Sequence, residues 1–360
     1  MRRRTRASVA AAACLTATAL ALPQMAGAQG ASRGWKIHDL ERPRPRVVTP
    51  GASVGAPPSD AIVLFDGQSL AEWKADDGSP AKWVVKDGVM QTVPRAGSVT
   101  SARAFGDMQL HIEWATPTPP VGSGQDRGNS GVIIMGKYEV QVLDSYGNTT
   151  YADGQAGALY GQHPPLVNAS RPAGEWQVYD IVFRRPRFAA TGALVSPARV
   201  TVLHNGVLVQ DAAELWGGTS WLHFEPYAKH PDELPITLQD HDHPVRYRNI
   251  WVRPLPDLPS DEKGPKVAKS TVAVPLKLLE SYVGTYASGT APVAKVTRRG
   301  NRLFINPFGH KVAFELVPQS ASRFELLETA GTVEFVSTAG QPTTAHVVLA
   351  GLDRTGGKQP

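Results

Sequence analysis

The chain reads as all-β, a sandwich or jelly roll followed by a small C-terminal β-barrel-like domain. Three observations predict this. Short runs alternate apolar and polar residues at close spacing, turn signals such as Asp66-Gly67 and Asn205-Gly206 separate them, and long amphipathic helical patterns are scarce in a chain with 34 glycines and 30 prolines. At 360 residues it is too long for one small domain.

The elements follow in order. Residues 1–28 carry Arg2, Arg3, Arg4 and Arg6, then an Ala/Leu-rich run, then Ala26-Gly27-Ala28. A basic start, an apolar middle and a small-x-small end read as a secretory signal peptide, so the protein is expected to be exported, periplasmic or extracellular, with no stable membrane anchor. Pro23 and small residues argue against a spanning helix. The paired arginines match twin-arginine export only loosely. Cys14, the single cysteine, falls inside this segment, which leaves a mature chain without disulfides, Cys-ligated zinc or a thiol nucleophile. Removing the segment's four arginines from the net charge of +5 leaves about +1, which gives no support to nucleic-acid binding.

Residues 29–59, rich in Pro, Arg, Gly and Ser, read as an extended leader whose end drapes over the first domain. That domain spans 60–255. Lys86-Asp87-Gly88 joins a hairpin between Trp83-Val84-Val85 and Val89-Met90-Gln91. From Met108 to Trp114, Leu110, Ile112 and Trp114 share one face while His111 and Glu113 share the other. Asn129 to Asp144 reads as two strands joined at Gly136-Lys137. A long loop through Tyr151, Tyr160 and His163 has a length that is often functional. Strands return at 175–183, 198–203, 207–209, 236–241 and 247–252. The Pro-rich stretch 256–275 is a linker, 276–351 the small β domain with Phe314, Phe324 and Phe335 available to fill it, and 352–360 a tail.

Candidate chemistry lies in the second strand of the 129–144 unit. Tyr138, Val140 and Val142 point one way; Glu139, Gln141 and Leu143 point the other. At a rise of roughly 3.3 Å per residue, a carboxylate and an amide stand about 7 Å apart on one surface. His111 with Glu113, and Thr237 with Gln239 and His241, offer similar polar stripes. If these strands are neighbours, the stripes merge into one face able to hold a polyhydroxylated ligand; the alternative is a solvated outer sheet face. The absence of lysine from the set favours a site. Asp240-His241-Asp242-His243 looks like a metal cluster or a polar loop before Pro244. Arg127, Asn129 and Ser130 form a polar turn that either bonds sugar hydroxyls or closes a hairpin. Asn148 and Asn168 match the short glycosylation acceptor pattern. No dinucleotide fingerprint, phosphate loop or Gly-x-Ser-x-Gly elbow stands out.

Leu64-Phe65-Asp66-Gly67, Asn129-Ser130-Gly131, Tyr138 to Asp144, Gly157-Ala158-Leu159-Tyr160, Gly174-Glu175-Trp176, Asn205-Gly206, Leu238-Gln239-Asp240-His241 and Arg248-Asn249-Ile250 occur in that order. Over about 60–255 the ordered set resembles the 3-keto-disaccharide hydrolase domain family, also described as 3-keto-glucoside 1,2-lyases and 3-keto-2-hydroxyglucal hydratases. Gln177 departs from the Asn expected after Glu-Trp. The 276–351 region is similar, less closely, to a small barrel appended to some serine-hydrolase-like proteins.

The resemblance implies a concanavalin-like jelly roll. It also implies a 3-keto-glycoside substrate supplied by a separate oxidoreductase, so no nucleotide or redox cofactor is expected here. A C3 ketone acidifies the C2 proton, a base removes it, and the C1 substituent leaves by β-elimination; adding water makes the outcome a net hydrolysis. Glu139 or His241 is then the base, with His241 favoured for its ordinary pKa, and the other is a divalent-metal ligand or the acid at the leaving oxygen. His111, Glu113, Arg127, Asn129, Gln141, Tyr160 and Gln239 would orient the sugar. Arg248 is a buried ion-pair partner or an enolate stabiliser. Two rival readings are a non-catalytic carbohydrate-binding module and an ordinary glycoside hydrolase using Glu113 and Glu139 as paired carboxylates.

Overall fold

The computed structural model describes residues 34–257 and 266–360. The signal-peptide reading of 1–28 and the middle of the 256–275 linker lie outside the described residues. The chain divides into a unit spanning Pro45–Leu258 and a second made of residues up to Arg44 together with Pro259–Pro360.

The first unit is a sandwich of two antiparallel sheets. One sheet runs Val207–Glu214, Arg199–His204, Gln177–Arg184, Met108–Ala115, Arg246–Pro254, Val89–Gln91, Val84–Lys86, with Ile62–Phe65 also pairing Arg246–Pro254. The other runs Trp73–Ala75, Val99–Phe105, Leu234–Leu238, Ser130–Ile134, Tyr138–Val142. Alternation decides what each strand buries. Leu110, Ile112 and Trp114 from the first sheet meet Val132, Ile134, Tyr138, Val140 and Val142 from the second in one continuous core. The polar residues between them are thereby turned to the two outer faces. The hairpins at Asp87-Gly88, Gly136-Lys137 and Asn205-Gly206 form where the turn residues stand, and Asn205 takes the positive φ that such a turn needs.

The strand Tyr138–Val142 is the last in its sheet, and its outer edge is not left bare. Gly157 N donates to Gln141 O, Gln141 N to Ala158 O and Tyr160 N to Glu139 O. The Gly-Ala-Leu-Tyr motif thus pairs as an irregular extra strand, which protects the edge and pins the long loop.

The second unit is a closed barrel of eight strands, from Gly284–Ser288 to Leu352–Lys358. Phe324 and Phe335 fill its core as expected and Phe314 packs against it, joined by Leu279 and Tyr282 from the short helix Leu276–Tyr282. The Tyr282 and Phe335 rings stack at 4.2 Å. Phe335→Ala removes one side of that stack from a site 3% exposed. It should cost about 3–5 kcal/mol, read as a lower denaturant midpoint for barrel unfolding.

Two expected boundaries move. Residues 352–360 are not a tail, since Leu352–Lys358 pairs with both Thr344–Leu349 and Gly284–Ser288 and closes the barrel. The leader is split: Ile37 bonds to Glu328 and Ala330 within the barrel unit, whereas Gly55 O accepts bonds from Asn249 Nδ2 and Trp251 Nε1 on the sandwich. Among the described residues no helix is long and apolar enough to cross a membrane.

Candidate active site

The site is built on the outer face of the five-stranded sheet. Glu139 stands opposite Ile133, and Ile133 opposite Thr237; Gln141 stands opposite Gly131, whose carbonyl accepts from Gln239 N. Thr237, Gln239, Glu139 and Gln141 therefore share one face, as their alternation predicted. The strand ends at Leu238, earlier than the sequence pattern suggested. Asp240 accepts from Gly97 N and from Asp242 N, and Asp242 takes a φ of 61°. His241 is consequently on a loop rather than a strand; it is exposed and stacked on His243, ring centroids 6.0 Å apart. Among the described residues no hydrogen bond or ion pair joins His241 to Glu139.

Glu139 is 8% exposed, and no donor among the described residues reaches its carboxyl oxygens. Its side chain folds over Gly131. A methyl carbon at that glycine would lie 2.2 Å from Glu139 Oε1, so only glycine leaves the space. Burial without hydrogen bonds disfavours the charged form and pushes the Glu139 pKa up to about 7. Gln141 Nε2 donates to Asn129 Oδ1 and Gln125 Oε1, both at 3.1 Å, while Gln141 Oε1 is buried with no donor. Asn129 Nδ2 in turn donates to Gln125 O. The floor thus holds a carboxyl that lacks donors and, covered beside it, an amide oxygen that also lacks one, which suits a ligand that brings hydroxyls to the carboxyl.

Tyr160 borders this floor. Its phenol bonds to the Tyr151 phenol at 2.8 Å. Burial first, then that bond and the nearby charges including Glu139, raise its pKa, so it stays a protonated donor. On the same edge of the strand, Thr219 Oγ1 accepts from Glu139 N and ties the segment Trp216 to Phe224 to it. A cavity of about 410 Å³ lies between Tyr151, Tyr160, Trp216, Trp221, Leu222 and Phe224. Glu139 is not among its lining residues.

Three expected site residues are elsewhere. His111, Glu113 and Arg248 lie on the outer face of the eight-stranded sheet, across the core from Glu139, because their strands pair with each other and not with Tyr138–Val142. A bulge between Arg248 and Trp251, with Asn249 at a φ of 46°, breaks the alternation that would have placed Arg248 with Ile250. There Arg248 Nε donates to Glu113 Oε2 at 2.6 Å, Asn249 Nδ2 to Glu113 Oε1 at 2.9 Å, and His111 Nδ1 meets Asp180 at 2.7 Å. Arg248 also lies over the Trp176 ring. Burial pushes the Glu113 pKa up as it does that of Glu139, but the bonds from Asn249 and Arg248 outweigh it and hold Glu113 below the usual range. Glu139 is the more deeply buried of the two and has no donors, whereas Glu113 is half-buried and has two, so the shifts are opposite. With Glu113 and Glu139 on opposite faces, the paired-carboxylate hydrolase has no geometric basis.

Arg127 donates to Asp144 Oδ2 at 2.8 Å and closes the turn rather than facing the floor. Ser130 turns inward, accepting from Tyr247 and donating to Gln239 O. Gln177 is a structural hub, accepting from Arg171 N and Asn205 Nδ2. Among the described residues no three His, Cys, Asp or Glu side chains are grouped to hold a metal ion. Gln125 and the Trp216–Phe224 segment were not singled out from sequence. Gln125 gave no signal, whereas four large apolar residues in a stretch without periodicity were a usable one.

A β-sandwich with an acceptor-rich floor beside an aromatic-rimmed cavity, together with its relatives, defines a carbohydrate-active enzyme. The chain belongs to the 3-keto-alpha-glucoside-1,2-lyase-like domain family, whose model matches residues 60–253. It is similar to a crystal structure of a candidate glycosyl hydrolase from Parabacteroides distasonis ATCC 8503, with 45% identity and a TM-score of 0.57 over 60% of this chain and 94% of that one. Two further candidate glycosyl hydrolases of that organism match at 20% identity (TM-score 0.41, 55% of this chain and 94% of that one) and 22% identity (TM-score 0.40, 54% and 99%). No curated protein matches the chain.

Proposed function

We propose that the protein is an exported enzyme that cleaves 3-keto-glycosides by β-elimination, with Glu139 as the base. The observation that carries this reading is a buried carboxyl on a polar sheet face, without donors, whose pKa burial pushes up to about 7. A carboxylate poised there accepts a proton far more readily than one at its ordinary value. His241, expected as the base, is an exposed loop residue and does not take that role here.

In the proposed sequence the C2–H proton passes to Glu139 and the bond's electron pair moves into an enolate centred on the C3 oxygen. The Tyr160 phenol, protonated and bonded to Tyr151, is the donor to that oxygen once it turns from Tyr151. The pair then returns to form the C1=C2 double bond as the C1–O bond breaks, and its electrons leave with the aglycone oxygen. A solvent proton is delivered to that oxygen. Water adding hydroxyl to C1 and hydrogen to C2 completes a net hydrolysis. Gln141, Asn129 and Gln239 orient the ring. The C3 ketone must be made beforehand by a separate oxidoreductase.

A chromogenic 3-keto-glucoside and its unoxidised parent test the reading. Release is expected from the keto sugar alone, with kcat/KM rising through about pH 7 as Glu139 ionises. Release from the parent would instead indicate ordinary hydrolysis, and binding of both without release a carbohydrate-binding module.

A further inference from the structure

We infer that the cavity beside Glu139 is an aglycone subsite for a flat aromatic group, so that the substrates are aryl 3-keto-glycosides rather than disaccharides; this rests on the function proposed above. Continuity with the floor is the first reason. Tyr160 lines the cavity while its backbone bonds to Glu139 O, and Thr219, in the segment that lines much of the rest of it, holds Glu139 N. A group leaving from C1 of a sugar on the floor would have these walls beside it.

The second reason is chemical. The polar side chains of the cavity are largely bonded within it. Gln162 donates to Gly218 O at 3.0 Å and accepts from Trp216 N at 2.8 Å, Ser220 donates to His223 O at 2.7 Å, and the Tyr151 and Tyr160 phenols bond each other. The groups left over are the Asp153 carboxylate, one nitrogen of His223 and the indole N–H groups of Trp216 and Trp221, set around a wall that is mostly aromatic. The apolar surface is unspent: Trp221 is 70% exposed, Leu222 82% and Phe224 60%. Large side chains so exposed on one loop, around a cavity of about 410 Å³, fit a planar apolar ring better than bulk water.

The test compares methyl, phenyl and 2-naphthyl 3-keto-glucosides. Phenol and 2-naphthol are of similar acidity, so the phenyl-to-naphthyl comparison reads size and apolar area rather than leaving-group chemistry. Naphthyl is expected to have the lower KM, and Trp221→Ala and Phe224→Ala each to reduce the naphthyl-to-phenyl ratio of kcat/KM by roughly tenfold, chiefly through KM. Equal KM for phenyl and naphthyl in the wild type, or variants that depress all three substrates alike, would overturn the subsite. Failure of the wild type to release anything from any keto-glucoside would overturn the function on which it rests, a result distinct from the first.

Discussion

Glu139→Gln is expected to lower turnover of a 3-keto-glucoside by about 10²–10⁴-fold, the range a positioned general base supplies, and at the same time to make the protein more stable at pH 8. The second half follows from linkage. The Glu139 carboxyl has its pKa raised by burial from 4.5 to about 7 in the folded chain. Between those values the native state holds more protons than the unfolded state, so stability falls as pH rises, and the deficit is complete above about pH 7. At about 1.4 kcal/mol per pH unit this amounts to roughly 3 kcal/mol. The neutral amide does not carry the penalty. Denaturant unfolding at pH 4.5 and pH 8 should therefore show wild type and variant alike in acid and the variant more stable in base. A purely structural glutamate predicts the reverse, a loss of stability at both pH values with catalysis preserved.

Gly131→Ala should abolish most activity without unfolding the domain. The added methyl would lie 2.2 Å from Glu139 Oε1 and 2.9 Å from its carboxyl carbon, so the side chain must swing away. Gly131 sits within a regular strand, between Ser130 and Val132, and alanine is tolerated in extended backbone. The cost falls on placement. A displacement of about 1 Å at a reacting group is worth about 10² in rate, and kcat is expected to fall at least that far. The same variant should flatten the pH dependence of stability, because a carboxyl moved toward water returns to its ordinary pKa. Full activity in Gly131→Ala would mean that the folded-back carboxyl is not the working conformation.

Much of the fold was legible because it is local. Alternation in Met108–Trp114 and Tyr138–Val142 assigned every inward residue correctly, and Asp87-Gly88, Gly136-Lys137 and Asn205-Gly206 marked real turns. The placing of Glu139 and Gln141 on one face was likewise readable. Sheet membership was not, because the pairing of Met108–Ala115 with Gln177–Arg184 and Arg246–Pro254 joins residues far apart in sequence. His111 and Glu113 were therefore put on the right side of their strand but the wrong side of the molecule. The bulge at Asn249 and the early end at Leu238 moved Arg248 and His241, since one extra or missing residue reverses a period of two. The closing barrel strand was missed because Thr355-Gly356-Gly357 carries little apolar signal.

That last strand matters beyond its length. A wall whose final stave is Leu352–Lys358 has no loose border for another chain to zip onto. Clipping the polypeptide just before Leu352 would turn one seamless surface into two raw margins at once, along Gly284–Ser288 and Thr344–Leu349. Closure of this region thus hinges on seven mostly polar or small residues, and proteolytic trimming there would invite self-association rather than mere fraying.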